Sequence, residues 1–309
     1  MMLADRLLLA ALLMTCATVL GFAAQQPAPE RTRAPSTDGK LNIIAFGAHP
    51  DDCDLGAGGA AAMYAALGHR VRFVSVTNGD AGHQTEGGGA LAARRRAEAR
   101  EAGRRIGIDY VVLDNHDGQL LPTVDVREQV IRQIREWNAD LVLAPRPNDY
   151  HPDHRYTGVL VQDAAYMVVV PNIASDTPAL RKNPVFMYFE DRFQKPAPFR
   201  PDVAVSIDDV IEKKIDMLDA HVSQMYEWLP WVDNALEKVP SNASERRQWL
   251  KQTAAHEPTG DVRTALVKWY GPEKGKAIRY AEAFEICEYG ARPDEALLRK
   301  LFPFLPARQ

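Results

Sequence analysis

The sequence predicts an α/β protein: a three-layer, Rossmann-like domain built on a mostly parallel sheet, with a helical C-terminal extension. Two observations carry this. Short apolar or β-branched runs at 41–47, 70–77, 109–113 and 139–144 alternate with segments at 58–68, 90–106 and 124–138, whose apolar residues recur at helical spacing. Strand, helix, strand, repeated, calls for parallel strands joined by right-handed crossovers.

Taken in order, LNIIAFG, RVRFVSVT, DYVVL and ADLVLA are continuous or β-branched enough to be buried strands, and the three helical patterns lie between them. VFMYF (185–189) and DVAVSI (202–207) either extend the sheet or form a small side layer. A helix is expected over 208–225, with Asp208 or Asp209 as cap and Val210, Ile211, Ile215, Leu218 and Val222 on its apolar face. Residues 226–275 are aromatic and helical without legible chemistry. AFEICEY then reads as a strand before a Pro-broken tail, and there is no internal repeat.

The chain has 309 residues, 46% apolar and 25% charged, enough for one large domain with a sizeable core. A formal net charge of −4, with Lys and Arg scattered apart from Arg94-Arg95-Arg96, gives no nucleic-acid or acidic-membrane footprint. Arg6, the unbroken apolar run Leu7 to Leu20 and small residues at Gly21 and Ala23 read as a secretory signal peptide over 1–24. Export, periplasmic or secreted, is the expected localisation; an uncleaved anchor or lipidation at Cys16 would be the only routes to a membrane. Residues 25–40, rich in Pro and polar groups, read as a flexible linker, and 41–306 as the domain. Cleavage would leave Cys53 and Cys287, too few for a disulfide framework, so stability must come from packing.

Chemistry concentrates in two clusters, AHPDD at 48–52 after the first strand and HPDH at 151–154 after the strand ending at Ala144. In open α/β sheets, ligands bind beyond the carboxyl ends of strands where the strand order reverses. If these two strands are neighbours there, both clusters share one crevice. His49 and Asp52, three apart in a turn, converge with His154 to give two nitrogens and one oxygen. Zinc held by three protein ligands keeps a position for water, the catalytic pattern. Asp51 is left with a free carboxylate fit to serve as general base. His151 is placed to stabilise an oxyanion or protonate a leaving amine, with Asp153 orienting it through its other N–H. Singly, such an Asp would read as a helix cap and such a His as a solvated loop residue; it is their joint occurrence that points to a metal. Two His and one carboxylate also describe the iron facial triad, which the βαβ pattern disfavours. GAGG at 56–59 mimics a dinucleotide fingerprint, but a pyrophosphate there would meet the carboxylates of AHPDD.

With these residues in hand, the chain resembles the PIG-L or LmbE-like family of zinc-dependent N-deacetylases. AHPDDCDLGAGG (48–59) matches the family's AHPDDVEIGxGG, supported by TNGDAG (77–82), Arg95 and Glu98, HPDH, and Lys214 followed by HVSQ at 221–224. The resemblance implies His49, Asp52 and His154 as ligands of Zn2+ and Asp51, His151 and Asp153 as the catalytic group. It further implies that Arg95, Asp117 and His221 approach the sugar, with His221 and Gln224 at the pocket rim. Asp54 stands where the family has Glu. Cys53 is expected to pack rather than ligate. Tyr150 lies one residue after the position of a helpful tyrosine in some relatives, where Asp149 stands here. The expected function is an exported hydrolase that deacetylates an N-acetylated amino sugar conjugate, its partner a small glycoside or glycan. A metal-dependent glycan-binding protein with decayed catalysis is the alternative.

Overall fold

The computed structural model describes residues 38–258 and 260–307, together with the backbone of residues 32–33. The expected export segment 1–24 and most of the expected linker lie outside the described residues. Two linker residues are nevertheless paired: Thr32 and Arg33 run parallel to Ala179 and Leu180. Among the described residues, no helix is long and apolar enough to cross a membrane.

Seven strands form one sheet: β1 (Asn42–Gly47), β2 (Arg70–Thr77), β3 (Asp109–Asn115), β4 (Leu141–Ala144), β5 (Val185–Phe189), β6 (Val203–Ser206) and β7 (Ala281–Ile286). Their order is β3-β2-β1-β4-β5-β7-β6. The first five are parallel, and β7 runs antiparallel between β5 and β6. Helices α1 (Asp52–Ala66), α2 (Gly88–Ile106), α3 (Val124–Trp137) and α4 (Pro152–Met167) follow the first four strands. The central strands are apolar without alternation because both faces are covered. Ile43, Ala45, Val71, Phe73, Leu141 and Leu143 point into one core, while Ile44, Phe46, Val74, Val76 and Val142 point into the other. This is the three-layer domain expected from the strand and helix pattern.

Three elements differ from expectation. α1 starts at Asp52, directly after the AHPD turn, rather than at 58. HPDH is not a loop but the first turn of α4, with His151 as N-cap and Pro152 in the first turn. The helix expected over 208–225 is a short turn at Asp208–Val210, then α5 (Ile211–Ala220), then a π-helical turn at Ser223–Trp228. The C-terminal extension is helical, with α6 (Ala243–Ala254), α7 (Gly260–Tyr270), α8 (Pro272–Ala277) and α9 (Glu295–Leu301). It also returns β7 into the sheet, so it completes the core.

Candidate metal centre

The chain runs outward from β1 through β2 to β3, then crosses back to β4 on the other side of β1. β1 and β4 are therefore the strands at which the order reverses, paired Ile43 to Leu141 and Ala45 to Leu143. The turn after β1 is tied down by β2: Ser75 Oγ, Thr77 Oγ1 and the Thr77 N–H all donate to the Ala48 carbonyl. Gly47 is required here, since a Cβ on it would lie 2.6 Å from Asp52 Cβ. Asp51 has φ 142° and ψ −26°, and its carboxylate caps no N–H of α1. This backbone region is sparsely populated by any residue but glycine.

Asp52 Oδ2 lies 3.6 Å from His49 Nδ1 and 3.4 Å from His154 Nε2, and the two nitrogens are 3.1 Å apart. Zinc bonds of 2.0–2.1 Å at tetrahedral angles place neighbouring donors about 3.3 Å apart. The triangle fits such an ion, and the donor set of two imidazoles and one carboxylate is that of a catalytic zinc site. The two imidazoles hold Asp52 well below the usual carboxylate range, outweighing its burial.

A second layer orients these donors. Asp149 Oδ1 is 3.1 Å from His154 Nδ1. His49 Nε2 is 3.0 Å from Asp117 Oδ1 and 3.4 Å from Asp153 Oδ2, although neither contact has the alignment of a hydrogen bond. Burial would lower the His49 pKa, but Asp117, Asp153 and Asp52 together raise it well above the ordinary value. Burial pushes the Asp51 carboxyl up to about 6, against the pull of the Arg95 guanidinium 3.5 Å away. His151 packs edge-on against His49 with ring centroids 4.7 Å apart. Burial and the neighbouring imidazoles lower its pKa.

Five of the expected site residues sit otherwise than the sequence suggested. The Asp153 carboxylate does not accept a hydrogen from His151. It accepts from the N–H groups of Gly118 and Leu120 and faces His49, while the Asp153 N–H donates to His151 Nδ1. Arg95 is buried behind the centre rather than exposed in the crevice: it donates to the Pro50 and Gly79 carbonyls and approaches Asp51 and Asp117. Asp117 is buried too, one oxygen toward His49 and the other 3.6 Å from Arg95. His221 is fully buried against Asp54 and Tyr110 rather than at a rim, and Gln224 is buried with it. Cys53 packs inside, as expected.

Sequence reasoning assigned no part to Asp149 or Tyr110. Asp149 stands two residues before His151, close enough to have been read as an orienting group. Tyr110 lies on β3, far along the chain. Its hydroxyl accepts from the Asp51 N–H at 3.1 Å and donates to Asp54 Oδ2 at 2.8 Å. A cavity of about 190 Å³, walled by Asp52, His154, Asp149, Arg146, Leu55 and Phe189 among others, opens beside the ligands.

Known proteins fit this arrangement. A family profile described as PIG-L, GlcNAc-PI de-N-acetylase, matches residues 44–165. The diacetylchitobiose deacetylase of Thermococcus kodakarensis is 31% identical over 204 residues, 61% of this chain and 73% of the relative. Among solved structures, the N,N'-diacetylchitobiose deacetylase of Pyrococcus horikoshii superposes with TM-score 0.59 at 25% identity, over 80% of this chain and 84% of that one. GalB, a 4-carboxy-2-hydroxymuconate hydratase from Pseudomonas putida, shares the fold with TM-score 0.59 at 21% identity, covering 82% and 98%. The site geometry, the family profile and the Thermococcus relative agree: this chain belongs to the PIG-L, or LmbE-like, family.

Proposed function

We propose that the protein is a zinc-dependent N-deacetylase that hydrolyses the acetamide of an N-acetylated amino sugar conjugate, acting outside the cytoplasm. One observation carries the reading: three donors spaced for a tetrahedral ion, with a buried carboxylate, Asp51, in the same turn, capping no helix N–H and facing Arg95. The deacetylase names of the relatives from Thermococcus and Pyrococcus support the same class. A zinc ion held there would polarise the amide carbonyl and acidify a bound water.

The chain's own residues supply the proton traffic. Asp51 takes the proton of the attacking water. His151 Nδ1 accepts from the Asp153 N–H, so the imidazole proton sits on Nε2. The Nε2–H is offered to the developing oxyanion, and the proton that Asp51 took from the water passes to the departing amine, which returns Asp51 to its carboxylate. The apolar run at 7–20 supports export.

Asp51→Asn should retain one bound zinc by elemental analysis while acetate release from N-acetylated sugars falls by several orders of magnitude. Chelation should abolish release in the wild type and added zinc restore it. Undiminished turnover in Asp51→Asn, or in the metal-free protein, would sink the mechanism. Amino-terminal sequencing of protein recovered outside the cytoplasm tests export; a chain retained in the cytosol counts against it.

A further inference from the structure

The cavity beside the metal ligands holds about 190 Å³. Sites that enclose a whole drug-sized ligand run to roughly 300–1,000 Å³, so a conjugate must extend beyond it. Leu55, Gly56, Glu190 and Asp191 line both this cavity and a cleft of about 790 Å³. The cleft is bounded by α1, by the Lys214 and Glu282 side chains, and by the facing ends of α6 and α7. Those last segments lie beyond residues 44–165, so this wall belongs to the part of the chain that the family profile does not match.

The charge of the cleft is one-sided. Lys214 is engaged by Glu282 at 2.7 Å, and Asp191 is held by both ends of the Arg146 guanidinium at 2.6 Å. That leaves Glu190, Glu257 and Asp261 facing Arg192. Glu190 stands at the junction of the two spaces, exposed and with no hydrogen-bond partner among the described residues. Exposed Leu55 and the edge of Phe199 add apolar surface suited to the C–H faces of a sugar ring.

We propose that this cleft binds the part of the substrate beyond the acylated sugar, that its occupant is a neutral or amine-bearing saccharide chain, and that Glu190 accepts its hydroxyl or ammonium hydrogens at the junction. The proposal rests on the deacetylase reading of the adjoining centre. Anionic conjugates are disfavoured because carboxylates outnumber the lysine and arginine side chains along the cleft.

The zinc-loaded protein is titrated calorimetrically with glucosamine, with its β-linked trimer, and with the trimer oxidised to a terminal carboxylate. Acetate release from N-acetylglucosamine and its trimer is measured in parallel. Two variants are compared: E190Q, and T253W, which places bulk at an exposed position on the cleft wall. The trimer is expected to bind about tenfold tighter than the monomer and tighter than its carboxylate form. T253W should cut trimer affinity about fivefold and leave the monomer unchanged, and E190Q should weaken the trimer more than the monomer. Equal affinity for both lengths, or trimer binding indifferent to both variants, overturns the cleft proposal. Length-dependent binding without acetate release from any sugar would overturn the deacetylase reading and leave the cleft standing. Acetate release with length-independent binding would do the reverse.

Discussion

Asp51 is the residue where conformation and chemistry meet. A non-glycine residue in this backbone region costs on the order of 1–3 kcal/mol and persists only where its surroundings enforce it. The enforcing group is the Tyr110 hydroxyl, held between the Asp51 N–H and the Asp54 carboxylate. Asp54 in turn lies 3.3 Å from His221 Nε2. Tyr110 is thus a positioning residue. Tyr110→Phe should leave the bound metal and KM nearly unchanged while kcat falls about 10- to 100-fold, since a loosened base loses transition-state stabilisation only. Metal content, kcat and KM measured together check this; a loss of metal would mean that Tyr110 supports the fold of the whole turn instead. The sequence named the donors because AHPDD and HPDH carry them. It could not name Tyr110, because nothing local in DYVVL tells which hydroxyl reaches a turn about sixty residues earlier in the chain.

At the scale of elements, α4 hid from periodicity. Its buried residues include Thr157, Gly158, Leu160, Val161, Ala164 and Ala165, a small-residue surface rather than an apolar stripe. The small residues have a reason. A Cβ on Gly158 would lie 2.8 Å from the Pro145 carbonyl oxygen, so the helix rests on the loop that leads into it. The legible signal was Pro152 just after a residue able to cap. The end of α4 is fixed by Arg135 of α3, which is buried and donates to the carbonyls of Met167, Val168, Val170, Ile173, Ala174 and Thr177. A cation satisfies the last carbonyls of a helix and complements its dipole. Arg135→Met should destabilise the protein by about 3 kcal/mol or more, seen as a lowered denaturation midpoint, while the zinc content of the folded fraction stays whole. A midpoint within experimental error of wild type would refute the clamp. The helix expected over 208–225 breaks for a similar reason: the Ser223 N–H and hydroxyl are both drawn to Glu98 on α2, and Gln224 donates to the Gly82 carbonyl. HVSQ is therefore buried, although its spacing alone is compatible with a rim.

For the molecule as a whole, the parallel half of the sheet was legible because each strand and its helix are local in sequence. In the antiparallel half the strands themselves were legible but their places were not, because β7 enters from the C-terminal end and pairs with β5 and β6 only through long-range packing. What fastens it is a buried ion pair. Glu282 on β7 accepts from the Gly59 and Ala60 N–H groups of α1 and from Lys214 of α5, and Lys214 also donates to the Leu55 carbonyl. The pair thus joins the last strand to the helix that begins at Asp52, the carboxylate of the candidate metal centre. Removing one member strands the other in the core at about 3–5 kcal/mol, whereas removing both spares that penalty. Lys214→Met should therefore be destabilising by that amount. Adding Glu282→Gln to it should cost far less than the sum of the single changes, with a coupling energy of about 1.5 kcal/mol or more in a double-mutant cycle by urea unfolding. The double variant still loses one acceptor for the α1 N–H groups, so it should not return to wild-type stability. Strict additivity of the two substitutions would mean that the C-terminal strand is held by packing alone, and that Lys214 and Glu282 line the cleft without binding it to the sheet.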